Sequence, residues 1–238
     1  EQLVGTKTDE QGNIQFVYDK LPVDGATFIL EADEDIYSAD NQKDLIYSKR
    51  QKIEELTTEN GYAISKDLPL GKYSIYEKTA GDGFVLNKEV KHIELKYENE
   101  NIPIVFENID YENQRQKVDL NVIKKDKETD TLLKGAVFGL YASEDIYGIE
   151  NATRSMTLLI EKGTLIETAT TDENGKAVFH ADLPINATFE IKEIKAPIGY
   201  ASSDTVISID TKYQGQDKEV IELCKIVLEN VGVKRMAN

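Results

Sequence analysis

The sequence carries one ordered set of segments twice, and this repetition limits the folds open to it. Gly25–Tyr37 recurs without a gap as Gly135–Tyr147, and Tyr73–Phe84 aligns without a gap to Phe189–Tyr200. Between these segments each half has a Glu-Asn-Gly turn and an Asp-Leu-Pro triplet, at Thr57–Gly61 and Asp67–Pro69, then at Thr170–Gly175 and Asp182–Pro184. The period is too long for a solenoid, so each copy is expected to be a domain with its own core.

The repeated segments have the pattern of short β-strands. Apolar and polar residues alternate over runs of five to eight, and Asn-Gly supplies the positive φ angles of tight hairpin turns. This predicts an all-β chain of two antiparallel sandwiches, residues 1–112 and 113–238, joined by the polar run Asp110–Lys117. Met156–Ile160 is predicted as a strand, whereas Lys49–Leu56 is compatible with a helical turn.

Composition excludes several classes of function. The chain has 238 residues, 40% hydrophobic content, a net charge of −16 and a pI near 4.6. Without a basic stripe, such a chain is not expected to bind nucleic acid. It contains neither a membrane-length apolar run nor a signal peptide, so we expect a mature or excised segment. A single cysteine cannot form an internal disulfide, so stability must come from another source.

Three strands of the second half end an apolar face with a polar side chain. Phe189, Ile191 and Glu193 share one face of the strand that begins at Thr188. By the same alternation, Lys124 continues the aliphatic face of the strand predicted at residues 118–126. Asn230 ends the aliphatic face of the strand predicted at residues 221–230. An unpaired charge on a core face costs several kcal/mol, so these three side chains are expected to meet.

A buried lysine, glutamate and asparagine can react with one another. Burial favours the neutral forms of lysine and glutamate, and a neutral ε-amine is a nucleophile. Lys124 could attack the amide carbon of Asn230 and expel ammonia, while a protonated Glu193 polarises the amide and relays protons. The other interpretation is a buried ion pair with a nearby asparagine. Recurrence of the glutamate and asparagine in both halves favours the covalent bond.

The first half contains the corresponding residues. Glu77 aligns with Glu193, and Asn108 aligns with Asn230. Lys7 shares its strand face with Leu3 and Gly5, so it is the predicted nucleophile there. Lys20 is the alternative nucleophile, although only four residues separate it from Gly25.

No other motif carries chemistry. The acidic segment Glu31–Asp35 lacks the spacing and the glycine of a calcium loop, so a solvated loop is expected. The two histidines, His92 and His180, lie far apart and belong to no catalytic or ligand spacing. We therefore expect no metal, no cofactor and no site that turns over a substrate.

The second half resembles the B-type repeat domains of collagen adhesins and the similar domains of sortase-assembled pilins of Gram-positive bacteria. The motifs that carry the resemblance are Lys-Lys-Asp from Lys124, Leu133–Tyr141, Thr171–Gly175, Asp182–Pro184, Glu193–Tyr200 and Val227–Asn230. The resemblance implies an immunoglobulin-like sandwich of inverse topology with an autocatalytic Lys–Asn bond. Carried over by position, the residues are Lys124, Glu193 and Asn230, and Lys7, Glu77 and Asn108; Ala80–Phe84 departs from the family's Ala-Pro-x-Gly-Tyr form.

The resemblance also implies where the chain works. It predicts an extracellular stalk or pilin segment of a cell-surface protein, whose partners are neighbouring domains or pilin subunits. The chain shows neither a Tyr-Pro-Lys polymerisation motif nor a Leu-Pro-x-Thr-Gly sorting signal, so an internal piece or a stalk is expected. A second reading is an adhesin module that binds host matrix protein or glycan, which would require an exposed apolar patch. A third, a hydrolytic enzyme, would require catalytic groups that converge in a pocket.

Overall fold

The computed structural model describes residues 1–40, 43–97, 107–150 and 152–230, with the backbone alone from 224 to 230. All regular structure in these residues is β-strand, which confirms the predicted all-β class. In the described ranges no helix is long and apolar enough to cross a membrane.

The strands of the first half are β1 (Gln2–Thr8), β2 (Ile14–Asp19), β3 (Thr27–Ala32), β4 (Ile36–Tyr37), β5 (Leu45–Tyr47), β6 (Lys52–Thr57), β7 (Gly71–Thr79) and β8 (Val90–Leu95). Those of the second half are β9 (Lys117–Asp126), β10 (Val137–Ala142), β11 (Ile146–Ile149), β12 (Met156–Ile160), β13 (Leu165–Thr170), β14 (Lys176–Phe179), β15 (Thr188–Lys195), β16 (Val206–Asp210) and β17 (Val220–Asn230). Met156–Ile160 is thus a strand as predicted, and the segment compatible with a helical turn is instead occupied by β6.

The chain divides into two compact units. The larger unit comprises Glu1–Lys20, Gln116–Gln214 and Lys218–Asn238, and the smaller unit comprises Leu21–Arg115 and Gly215–Asp217. The predicted boundary after residue 112 lies close to the division at Arg115. The first twenty residues, however, group with the larger unit, whereas the sequence analysis assigned them to the first domain.

The larger unit is a two-sheet sandwich. A four-stranded antiparallel sheet, β13-β10-β15-β16, faces a three-stranded sheet, β14-β9-β17. Both sheets supply one core, in which Val122, Phe138, Phe189 and Ile191 are fully buried. The expectation of antiparallel pairing is wrong for β9 and β17, which run parallel. These strands are joined through the whole unit and not by a hairpin, so no tight turn imposes an antiparallel direction.

The N-terminal hairpin owes its place in the larger unit to its apolar side chains. Phe16 of β2 is 6% exposed and meets the ring of Phe189 edge to face, with 6.4 Å between ring centroids. The hydroxyl of Tyr18 donates to the carbonyl oxygen of Asp182 at 2.7 Å. These contacts depend on tertiary packing, which a repeat pattern in the sequence does not reveal.

The smaller unit repeats the four-stranded sheet of the larger one. Its order, β6-β3-β7-β8, matches β13-β10-β15-β16 strand for strand. The register also repeats, because Phe28 lies opposite Glu77 just as Phe138 lies opposite Glu193. In both units the pairing shifts by one residue immediately before that phenylalanine. The duplication predicted from the sequence is therefore present in the backbone geometry.

Candidate functional site

The site in the larger unit begins at the turn between β13 and β14. Gly175 has a φ of +65°, and a Cβ placed there would lie 2.6 Å from the carbonyl oxygen of Lys124, too close for any other residue. Its own carbonyl accepts the Lys124 N–H at 2.8 Å. The Asn-Gly motif thus holds the end of β9 at a fixed distance and fixes where the Lys124 side chain starts.

Lys124 and Glu193 meet inside the sandwich. Nζ of Lys124 lies 3.0 Å from Oε1 of Glu193, and both side chains are 0% exposed. The two groups are at ion-pair distance, and Nζ has no hydrogen-bond partner among the residues that the structure describes. The ring of Phe138 lies on another side, 5.8 Å from Nζ to the centroid. A buried lysine normally fills several donor positions, so these surroundings are unusual for a purely structural ion pair.

The second carboxyl oxygen of Glu193 is held by the backbone. Oε2 accepts a hydrogen bond from the backbone N–H of Ser203 at 2.7 Å, which restricts the orientation of the carboxyl group. This leaves Oε1 directed at Lys124.

The backbone of Asn230 lies on the strand next to Lys124. In the parallel pairing of β17 with β9, Leu228 is opposite Lys124 and Asn230 is opposite Asp126. Lys124 and Asp126 lie on the same face of β9, since they are two residues apart. The backbone of the predicted asparagine therefore lies two residues beyond the position opposite Lys124, and its side chain lies outside the described part of the structure.

Tyr200, the last residue of the Ala-Pro-x-Gly-Tyr motif, also contributes to this end of β9. The Thr129 N–H and the Tyr200 hydroxyl donate hydrogen bonds to Asp126, which hold the pKa of Asp126 below its ordinary value. The same hydrogen bond raises the pKa of Tyr200. The Tyr200–Asp126 hydrogen bond therefore connects the loop after β15 to the end of β9. Asp126 lies two residues after Lys124.

In the smaller unit the equivalent glutamate has different partners. Glu77 is 4% exposed, and its Oε2 accepts the Asn87 N–H at 2.7 Å and the Asn113 side-chain amide at 2.8 Å. Its Oε1 has no hydrogen-bond partner among the residues that the structure describes. Burial raises the pKa of Glu77, an effect that the two hydrogen bonds oppose.

Asn113 is a residue that sequence reasoning missed. It lies in the polar run between the repeats, where no alternation marks it as part of a core. The only sequence signal for Asn113 is that the run is rich in side chains that can form hydrogen bonds. An ordinary linker has the same composition.

The other residues predicted for a first-half bond lie at the surface of their units. Lys7 is exposed on β1, opposite Gln15, and Asn108 and Lys20 are also exposed. Within the described residues of the smaller unit, the Glu77 carboxyl accepts hydrogen bonds from Asn87 and Asn113 and none from Asn108. The predicted bond between Lys7 and Asn108, with Glu77 as its glutamate, therefore stays a prediction. Over the described ranges no cluster of three or more His, Cys, Asp or Glu side chains could hold a metal ion.

Comparison with known proteins gives the family. The family model of the SpaA prealbumin-like fold domain matches the chain twice, over residues 2–110 and 118–222. The two matches cover most of the chain, so this protein belongs to that family, and the resemblance stated from its motifs is confirmed. No curated protein matches the sequence.

Solved structures show the same fold. The chain is similar to the TIE protein of Bacillus anthracis, at 26% identity and a TM-score of 0.59, over 97% of this chain and 34% of that one. It thus spans about a third of that protein. It also matches the shaft pilin SpaA of Lactobacillus rhamnosus GG (17% identity, 91% and 94% coverage, TM-score 0.33) and the minor pilin GBS52 of Streptococcus agalactiae (17%, 99% and 96%, 0.34).

Proposed function

We propose that this chain is a load-bearing segment of a Gram-positive cell-surface protein, either a pilin segment or an adhesin stalk. Its membership in the SpaA domain family and its likeness to the TIE protein support that role. Its place is extracellular, and its partners are the neighbouring domains or pilin subunits of the same assembly. Its only chemistry is a single self-crosslinking reaction, without turnover of a substrate.

One observation carries the proposal: the fully buried amine of Lys124 lies 3.0 Å from Glu193 and makes no hydrogen bond to any residue that the structure describes. A lysine kept as a structural cation would be expected to fill its three donor positions. Here the amine lies beside a carboxyl group and one strand from Asn230. This arrangement suits a nucleophile that forms a covalent bond.

The reaction joins Nζ of Lys124 to Cγ of Asn230. The uncharged amine attacks Cγ while the carboxyl of Glu193 donates a hydrogen bond to the amide oxygen. The C–N bond to Nδ2 breaks, and Nδ2 leaves as ammonia with a proton that Glu193 relays from Nζ. One C–N bond forms and one breaks, and no oxidant or cofactor is needed.

The bond would serve a mechanical purpose. It connects β9, the strand that leads from the linker, to β17, the last strand of the unit. Tension applied to the two strands would then pass through covalent bonds and need not break the hydrogen bonds between them. The bond closes a loop of about 100 residues, which by the chain-entropy model adds about 4 to 5 kcal/mol of stability.

Tryptic mapping tests the proposal. Cleavage after Lys117, Lys125, Lys225 and Lys234 should release residues 118–125 joined to residues 226–234. Tandem mass spectrometry should place the link between Lys124 and Asn230. Recovery of the two peptides only as separate species, from folded protein, would overturn it.

A second candidate function, direct binding to host matrix protein or glycan, draws on one surface feature. Each unit exposes a cross-strand Tyr–Leu pair on a small hairpin, Tyr37 with Leu45 and Tyr147 with Leu158, each residue 44–50% exposed. Surface plasmon resonance on immobilised matrix proteins, with Tyr147→Ser and Tyr37→Ser variants, would test it. Binding that the variants retain would argue against these hairpins as the contact.

A further inference from the structure

The Asn-Gly turn of the smaller unit has a tight backbone geometry. Asn60 and Gly61 form a two-residue hairpin turn, with φ angles of +52° and +76°. Glu59 and Tyr62 exchange two backbone hydrogen bonds across it, at 2.9 and 3.1 Å. A Cβ placed on Gly61 would lie 2.3 Å from Cβ of Pro22, so no other residue fits there. The turn therefore requires a glycine directly after the asparagine.

A carboxylate lies at the peptide nitrogen that follows Asn60. The Gly61 N–H donates to Oδ1 of Asp24 at 2.9 Å, which is the distance that a general base needs from the proton it removes. Asn60 and Asp24 are both exposed, so water reaches the two side chains. An asparagine amide, the next backbone nitrogen and a base are the three groups that cyclisation of an asparagine needs.

The segment that follows this turn is lightly held. No strand lies between β6 and β7, where the structure describes every residue. Tyr62 and Ile64 are 76% and 88% exposed. Because few contacts restrain such a segment, the turn can open locally without unfolding the sheet. Local opening gives the Asn60 side chain the rotation that ring closure needs.

The Asn-Gly turn of the larger unit is held differently. Gly175 is buried, and its N–H donates to the carbonyl oxygen of Asp172 at 3.0 Å, which is an amide oxygen and not a base. The carboxyl group of Asp172 accepts the Asn174 N–H at 2.8 Å and a hydrogen bond from the Asn174 side chain. Lys176 begins β14 directly after the turn and is paired with Ile123 of β9. This second turn therefore serves as an internal comparison for the first.

We infer that Asn60 is a site of spontaneous deamidation and that Asp24 is the base that promotes it. The Gly61 nitrogen gives its proton to Asp24 and attacks Cγ of Asn60, so that a new C–N bond closes a succinimide ring. The bond from Cγ to Nδ2 breaks, and Nδ2 leaves as ammonia with the proton that Asp24 returns. Water then opens the ring at either carbonyl, which yields aspartate or isoaspartate. No oxidant or cofactor takes part.

The modification changes the turn. Either product adds a carboxylate next to Glu59 in the sequence and close to Asp24. Isoaspartate also adds one carbon atom to the backbone, which lengthens the two-residue loop. The paired hydrogen bonds of Glu59 and Tyr62 then no longer fit the turn. The smaller unit thus carries a turn that changes chemically with age, whereas the turn of the larger unit is protected.

Peptide mapping of the folded full chain tests the inference. After incubation at neutral pH, trypsin should release residues 53–66, in which Asn60 is the only asparagine, and residues 163–176, in which Asn174 is the only one. Deamidation replaces an amino group by a hydroxyl group, and chromatography separates the aspartate and isoaspartate forms. Because its turn opens more readily, Asn60 should convert about tenfold faster than Asn174. A sample digested without incubation corrects for conversion during the digest.

Matched variants test the role of the base. Asp24→Ser keeps a hydrogen-bond acceptor but is not a base, so the conversion of Asn60 should slow about tenfold. Asparagine is not suitable at that position, because it would form a further Asn-Gly pair with Gly25. Asp67→Asn removes the same charge from another exposed position of the segment and should leave the rate unchanged. Circular dichroism confirms that each variant is folded.

Two results would overturn the inference. One is conversion of Asn174 as fast as that of Asn60, a comparison that needs no variant. The other is conversion of Asn60 in Asp24→Ser at the wild-type rate. A succinimide also lacks one ammonia, and residues 53–66 show whether a loss of mass comes from Asn60. The link between residues 118–125 and 226–234 is read in the same digest, so failure here is distinguishable from failure of the proposed function.

Discussion

Phe138 lies directly opposite Glu193, and its ring also lies beside the Lys124 amine, 5.8 Å from centroid to Nζ. One aromatic side chain therefore borders both the amine and the carboxyl group. In the smaller unit Phe28 lies opposite Glu77 in the same way. The repeat thus preserves the phenylalanine opposite the glutamate in both units.

Replacement of the nucleophile should reduce stability. Lys124→Met keeps most of the buried volume but cannot form the bond, so the free energy of unfolding of the larger unit should fall by about 4 to 5 kcal/mol. Urea unfolding measures this change. The matched control is Lys125→Met, because Lys125 pairs with Asp130 at the surface, and its effect should stay within about 1 kcal/mol. Equal losses in the two variants would contradict the account.

Removal of the Tyr200 hydroxyl should change the titration of Asp126. The folded pKa of Asp126 is lowered, so its contribution to stability is present above the ordinary value of 3.8 and is lost as pH falls through the lowered value. In Tyr200→Phe the pKa of Asp126 should rise toward 3.8. The carbon-13 shift of its carboxyl group reports this, with Tyr147→Phe as the control. An unchanged pKa would show that the hydroxyl does not act on Asp126.

Glu77 should make the smaller unit less stable as pH rises. Its folded pKa is raised, so its favourable contribution is complete below the ordinary value of 4.5 and is lost as pH rises through the raised value. In Glu77→Gln this part of the pH dependence should disappear. Amide hydrogen exchange of β3 and β7, measured at a series of pH values, compares the two proteins. If wild type and Glu77→Gln showed the same dependence of exchange rate on pH, Glu77 would not be the source of this pH dependence.

Truncation of Phe16 should destabilise the larger unit and not the smaller one. Phe16 is 6% exposed and packs against Phe189, so Phe16→Ala should cost about 3 to 5 kcal/mol. Thr6 lies opposite Phe16 across the hairpin and is exposed, so Thr6→Ala is the control. Amide hydrogen exchange, followed strand by strand, measures the stability of the two units separately. Faster exchange confined to β3 and β7 would place the hairpin in the first domain, as the sequence pattern predicted.

Strand alternation was enough to predict the interior of the site. Lys124 and Glu193 each continue an apolar face, and the structure buries both side chains completely. Glu77 was found by the same means, because its strand aligns with that of Glu193 without a gap. In these strands the local pattern and the tertiary packing agree.

Other features depended on contacts between distant segments. Lys7 shares its strand face with a glycine, and that weak pattern did not distinguish an exposed face from a core face. The position of the hairpin is set by Phe16 against Phe189, 173 residues later in the chain. Asn113 lies in a segment without periodicity, so only the folded geometry places it beside Glu77.

The most direct test of the central claim is the intact mass of the folded protein. Wild-type protein and the control Glu190→Gln, which changes a partly exposed neighbour on the same strand, should each be lighter than their sequences by at least one ammonia. Glu193→Gln should retain the ammonia of the larger unit, since it cannot relay the proton. A wild-type mass equal to that of the unmodified sequence would contradict the account, as would an undiminished loss in Glu193→Gln.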